Sequence, residues 1–276
     1  MSKKKKKNKG KGTRKTRKPF DKKEFLKNVQ KASLKDKLQS IYHDDVSLET
    51  TMTCTCTCCK VAMPQINYSE FVQIATEVWQ EFSQEEKVQI ICKSVEYFFR
   101  NEYEKWGKDI FIKPCMFLDQ ETNLCKIYES RPLACRLFGL WPKEEYEKRV
   151  DKFEKAYKEY GLTREDLPLH KQCDKVERID KSVELDMEMI ESLYSKLDDL
   201  DKKVGDFSDT QIKGKENYRT FHDWLLLKIF GEEWLIDLSN FMKSATKEQI
   251  EDQVSAIKDA IIDMCKDQMP NIEDRL

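Results

Sequence analysis

Apolar residues recur with a helical period along most of the chain from residue 24 onward. Phe25, Leu26, Val29, Leu34, Leu38, Ile41 and Tyr42 predict a first amphipathic helix ending near His43. Phe71, Ile74, Ala75, Val78, Trp79 and Phe82 fall at i, i+3, i+4 and i+7, the stripe of a core-facing helix. Ser83 with Glu86 three residues on forms a capping box. It opens a second helix with Val88, Ile91, Cys92, Val95, Phe98 and Phe99 on one face, ending before Gly107. Tyr146, Val150, Phe153, Tyr157 and Tyr160 make a narrow stripe closed by Gly161 as a C-cap. Val183, Met187, Ile190, Tyr194, Leu197 and Leu200 make another. Residues 217–243 are the most hydrophobic, with Trp224, Leu225, Leu227, Ile229, Phe230, Trp234 and Leu235, and a break is expected at Gly231. Thr246 with Gln249 caps a last helix carrying Ile250, Val254, Ile257, Ile261 and Cys265.

Two stretches break this rhythm. Residues 50–60 have no helical period, and residues 108–142 alternate short apolar pieces with Asp119, Asn123 and prolines. The second stretch reads as compact irregular structure or a small hairpin, held by something other than a large core. No internal repeat is present. The fold class expected is mainly α, a helical domain with a compact, cysteine-rich, largely irregular metal-binding insert. The expected division is a basic tail over 1–23, a cysteine-cluster domain over 24–175, and a C-terminal helical region over 176–276 packing on it.

Composition narrows the classes. The 276 residues are 39% hydrophobic and 37% charged, so the helices carry heavily charged outer faces. Eight Gly and seven Pro argue against a collagenous or linker protein and against a many-turned β-sandwich. No apolar run approaches the roughly 20 residues of a membrane span. The N-terminus has charge without an apolar stretch beside it, so no secretory signal and a cytoplasmic location are expected. The net charge of −1 is uneven: residues 1–23 hold thirteen Lys and Arg against Asp21 alone, a local +12 that leaves −13 on the rest. That tail has no periodicity and one aromatic, Phe20, so it is expected to be disordered. It either docks on nucleic acid or another polyanion, or serves as a solubilising segment that samples the acidic body.

The ten cysteines carry the chemical signal. Cys54, Cys56, Cys58 and Cys59 lie within six residues; Cys115, Cys125 and Cys135 are spaced by ten; Cys173 follows the helix at 144–160. Thiols this close repel once ionised, and a cation both withdraws their protons and offsets the repulsion. In a reducing compartment these eight read as metal ligands rather than a disulfide framework. Cys56 and Cys59 make one C-x2-C knuckle of the zinc type, whereas Cys58-Cys59 and Cys54-x-Cys56 suit ligands divided between neighbouring metals. The stretch therefore leans towards a multinuclear zinc–thiolate site or an iron–sulfur cluster. His170, three residues before Cys173, is a further candidate nitrogen ligand. Cys92 and Cys265 sit on apolar helix faces and read as core.

Two motifs resemble the zinc- or iron-chelating cysteine-cluster family of the YkgJ type. One is the cluster Cys54 to Cys59 ending in a double cysteine and followed by a helix opening at Ser69-Glu70-Phe71. The other is the block 115–141, similar to the family's C-P-F-L … C-x-I-Y-x-x-R-P-x-x-C-R-x-F through Cys115, Phe117, Leu118, Cys125, Ile127, Tyr128, Arg131, Pro132, Cys135, Arg136 and Phe138. The first motif is shortened to C-x-C-x-C-C, Met116 replaces the usual proline, and Gly139 stands where a proline often follows the phenylalanine. The resemblance spans about residues 50–175 and implies a zinc or iron site, an iron–sulfur cluster included. Some relatives resemble flagellin lysine methylases.

The block also makes sense from its residues. A site with four to eight thiolates keeps excess negative charge after metal binds. Arg131 and Arg136 flank Cys135 and are candidates to compensate it or donate to sulfur. Tyr128 and Phe138 are expected to exclude water, and Pro132 to fix a turn.

The common catalytic signatures are missing: no G-x-G-x-x-G, Walker A loop, H-E-x-x-H or G-x-S-x-G occurs. His222 reads as a helix-surface or core residue, and His43 either as a plain helix-end histidine or as one that orients or joins the site. The leading expectation is a metal-binding protein holding zinc or iron through about eight cysteines. The alternatives are a cluster-dependent protein-modifying transferase of the lysine methylase kind and a zinc-organised nucleic-acid adaptor using the basic tail.

Overall fold

The computed structural model describes residues 34–43, 47–50, 58–105, 113–167, 169, 171–173, 176–204 and 218–273, with side chains described to residue 266. The helices are α1 (Leu34–His43), α2 (Tyr68–Glu81), α3 (Gln84–Lys105), α4 (Leu133–Leu137), α5 (Lys143–Tyr157), α6 (Met187–Val204), α7 (Phe221–Phe230), α8 (Glu232–Ser244) and α9 (Lys247–Glu273). Short 3-10 turns lie at Cys58–Lys60, Tyr128–Ser130, Lys158–Tyr160 and Arg164–Asp166. The fold is mainly α, as the periodicity predicts. No helix among the described residues is long and apolar enough to cross a membrane.

Several boundaries follow local chemistry. At the head of α3, Ser83 N donates to Glu86 Oε2 at 2.9 Å and Glu86 N donates back to Ser83 Oγ at 3.3 Å, the expected capping box. Thr246 and Gln249 make the same reciprocal pair before α9, at 2.9 and 3.3 Å. Gly231, with φ +86°, separates α7 from α8 at the expected break. The first helix is described from Leu34 only; the part expected to begin near Phe25 lies outside the described residues, as does the basic tail. The Val183 stripe becomes helical only at Met187. The segment before it is held otherwise: the Arg178 guanidinium donates to the Val183 carbonyl.

α3 is the central element, packed against α7 and α9, while α2 packs on α1, α6 and α7. The rings of Phe71 and Phe221 lie 5.4 Å apart, and Trp224 donates from Nε1 to the Ile66 carbonyl at 3.2 Å. That bond adjoins a two-stranded antiparallel pair, β1 (Gln65–Ile66) and β2 (Arg219–Thr220), in register Gln65 with Thr220 and Ile66 with Arg219. Cys92 and Cys265 are buried in the α3–α9 seam. His222 is also fully buried, with Nε2 2.8 Å from Asn101 Nδ2 and 3.0 Å from Thr220 Oγ1. Burial lowers its pKa, so it sits in the core as a neutral imidazole.

Candidate metal centre

The double cysteine opens a tight turn. Val61 N and Ala62 N both donate to the Cys58 carbonyl, at 3.2 and 3.0 Å. The next carbonyl, that of Cys59, accepts from Cys115 N at 2.6 Å. This bond joins stretches more than fifty residues apart in sequence and sets Cys115 beside the pair. From Cys115 the chain makes a small hairpin: Lys126 N donates to the Phe117 carbonyl at 2.8 Å and Asp119 N to the Leu124 carbonyl at 2.9 Å. Asp119 organises the tip by accepting from Glu121 N and Thr122 N, at 3.0 and 2.8 Å. Leu118 and Cys125 are bridge partners, so Cys125 sits across the hairpin from Leu118, three residues along from Cys115.

Pro132 starts α4, and its carbonyl accepts from Cys135 N at 2.9 Å and Arg136 N at 3.1 Å. One turn of helix therefore delivers Cys135 to the same place. Cys58, Cys59, Cys115, Cys125 and Cys135 line a single cavity of about 50 Å³, closed by Ile66, Ile74, Phe117, Ile127 and Phe221, with Tyr128 and Arg131 at the wall. A volume of this size holds a few waters or an ion, not a large organic ligand.

The sulfurs of Cys58 and Cys59 stand 4.0 Å apart. Two thiolates on a tetrahedral zinc, with Zn–S of about 2.3 Å, would stand about 3.8 Å apart. Convergence otherwise holds for the cavity wall as a whole. Among the described residues, no three His, Cys, Asp or Glu side chains have their donor atoms gathered into a finished ion cage. Nor is any described cysteine joined in a disulfide. Burial, and after it the neighbouring thiols of Cys58, Cys59 and Cys125, hold the Cys135 thiol well above the ordinary range. Such a wall resists ionising alone and is relieved by a cation. The donor set is sulfur and the rest of the lining is apolar apart from Tyr128 and Arg131, which fits zinc or iron rather than magnesium or calcium.

The two arginines part company. Arg131 lines the cavity, its guanidinium carbon 3.6 Å from the centre of the Tyr128 ring and its Nε donating to the Tyr128 carbonyl at 3.1 Å. Arg136 is absent from the lining and only 7% exposed. Its Nε donates to the Arg131 carbonyl at 2.8 Å and its Nη2 to the Glu129 carbonyl at 2.7 Å. It thus holds the backbone of the wall and stays out of the cavity.

Cys54, Cys56 and His170 lie outside the described residues. Cys173 is not in the cavity lining; it packs on Gly139, where an added Cβ would meet the Cys173 carbonyl at 3.0 Å. Gly139 has φ +98°, which proline cannot adopt, so the departure from the family's proline follows from this turn. His43 is held at the end of α1, its Nε2 3.1 Å from Gln39 Oε1, and is not in the lining. Phe138 stands edge-on to Tyr146, their ring centres 6.3 Å apart. Phe221 is a cavity residue that the sequence left unmarked, because nothing local sets it apart from the other apolar residues of α7.

No solved structure matches the chain. Residues 50–156, well under half of the chain, match the model of the CxxCxxCC family, described as a "putative zinc- or iron-chelating domain". All five cavity cysteines fall inside the match, while Cys173 and Phe221 fall beyond it. The segment that matches this family model therefore holds the whole thiol wall of the cavity.

Proposed function

We propose that the cavity is a sulfur-rich metal centre in which Cys58, Cys59, Cys115, Cys125 and Cys135 hold zinc or iron. The observation that carries the reading is that five thiols from two distant stretches of sequence line one small cavity. Five thiols exceed the four a single tetrahedral zinc takes, and in the sequence Cys54 and Cys56 come four and two residues before Cys58. The donor count therefore supports more than one metal ion, as a thiolate-bridged zinc pair or an iron–sulfur cluster. Arg131 at the wall offsets the negative charge that remains. The centre serves structure, storage or electron transfer.

Anaerobic purification followed by elemental analysis, sulfide assay and an absorption spectrum tests this reading. Brown protein with stoichiometric sulfide selects an iron–sulfur cluster; colourless protein with zinc selects the other branch. Replacing Cys58 and Cys59 by serine is expected to abolish loading, and Cys92→Ser, in the α3–α9 seam, to leave it intact. Full metal content in the double variant would refute the ligand assignment.

A further inference from the structure

Behind the thiol wall lies a polar bracket of three residues that do not line the cavity: Tyr42 of α1, Glu70 of α2 and Arg136 of α4. The Glu70 side chain is 3% exposed, yet it is met by donors from three places. Its Oε1 accepts from Tyr42 Oη at 2.7 Å and from Leu133 N at 2.6 Å, and its Oε2 accepts from Asn67 N at 3.1 Å. Capping α2 needs only the last of these. The bond to Leu133 satisfies an otherwise unpaired N–H in the first turn of α4, two residues before Cys135. Arg136 grips the same segment from its other end, through the carbonyls of Glu129 and Arg131. Its guanidinium carbon lies 4.5 Å from the centre of the Tyr42 ring. The Tyr42 hydroxyl and ring thus tie the two grips together.

The gripped backbone runs from Glu129 to Leu133. Arg131 and Pro132 within it line the cavity, as do Tyr128 just before it and Cys135 two residues after it. We propose that Glu70 and Arg136 are positioning residues of the metal centre, fixing from behind the backbone that presents Cys135 and Arg131 to the metal. This rests on the cavity being a metal centre. A buried carboxyl and a buried guanidinium are costly to desolvate, and simpler contacts would suffice if the turn had only to pack. The planar Arg fork matters because it spans two carbonyls; a lysine keeps the charge and loses the span.

The test uses the full chain with cobalt(II) as the metal, read by its thiolate charge-transfer and d–d bands and by competition with a chelator. The variants are Arg136→Gln, Arg136→Lys, Glu70→Gln and Tyr42→Phe. Ile261→Ala, in the α3–α9 seam, is the control that lowers stability away from the cavity. Arg136→Gln and Glu70→Gln are expected to weaken cobalt affinity about 10- to 100-fold and to alter the d–d bands, with helix content unchanged. Arg136→Lys should recover only part of the loss, and Tyr42→Phe should lose less than either. If Arg136→Gln or Glu70→Gln does not fold, Arg136→Lys and Tyr42→Phe carry the same test with milder changes. Variants that bind cobalt with wild-type affinity and bands overturn the inference while leaving the metal centre standing. An equal loss in Ile261→Ala also overturns it, by reducing the effect to general stability. Wild-type protein that takes up no cobalt overturns the metal-centre reading and this inference together.

Discussion

Glu86 shows how one carboxylate can tie the site to the helical frame. It accepts from Lys126 Nζ at 2.8 Å and from Ser83 N and Ser83 Oγ at 2.9 Å each. Lys126 follows Cys125, so the ion pair pins the cysteine hairpin to the head of α3. These donors, the Lys126 ammonium first, hold the carboxyl down at about 2 against an ordinary 4.5. A depressed carboxylate contributes stability above its unfolded value and loses it as pH falls through its folded value. The side chain is 35% exposed, so solvent screens the pair and keeps its contribution to stability small. Glu86→Gln keeps an acceptor for the capping box, as Gln249 does before α9, and removes the charge, so it is expected to cost about 0.5 kcal/mol at pH 7. The gap to wild type should shrink between pH 4.5 and pH 2. Urea denaturation at pH 7, 4 and 2.5 measures it, and a gap of constant size would refute the assignment of the effect to the ionised carboxylate.

Among the helices, α2 depends on a partner far along the chain. Asp201 of α6 accepts from Ser69 N at 2.7 Å, from Tyr68 N at 3.0 Å and from Asn67 Nδ2 at 3.3 Å. It therefore satisfies two of the first-turn N–H groups of α2 and pairs favourably with that end of the helix dipole. Asp201→Ala leaves those buried donors without a partner and is expected to cost about 1–3 kcal/mol. The measurement is the urea midpoint at constant m-value; a cost no larger than that of an exposed Asp→Ala change would remove Asp201 from this role. Such long-range partners are what the sequence could not disclose. The stripe of α2, the two capping boxes and the break at Gly231 were all legible, because each is a pattern within a few residues. Asp201 and the β1–β2 pair involve residues more than a hundred positions apart, and no local signal marks them. Periodicity also overstated α5: Tyr146 and Val150 are buried, but Phe153 on the same stripe is 49% exposed. At the site, spacing indicated that the thiols would meet. It did not separate Arg131 from Arg136, because one residue beyond Cys135 on a helix is about 100° round its axis and faces elsewhere.

At the scale of the whole molecule, residues beyond 176 reach the cavity itself as well as packing beside it. Phe221, in α7, closes the cavity and stands edge-on to Phe117 with ring centres 4.9 Å apart. Trp224, one turn along, holds the Ile66 carbonyl beside the same wall. Asp201, capping α2, belongs to α6. Removing residues 176–276 takes all three together, exposing Phe71, Ile66 and Phe117 and opening the thiols to solvent. Apolar burial supplies most of the stability of such a core, and the remaining part loses its largest aromatic contacts. A chain ending at residue 175 is therefore expected to bind the dye ANS, to lose its near-ultraviolet dichroism and to hold metal far more weakly than the full chain. A truncated protein with sharp near-ultraviolet bands and full metal content would show instead that the site stands without α7.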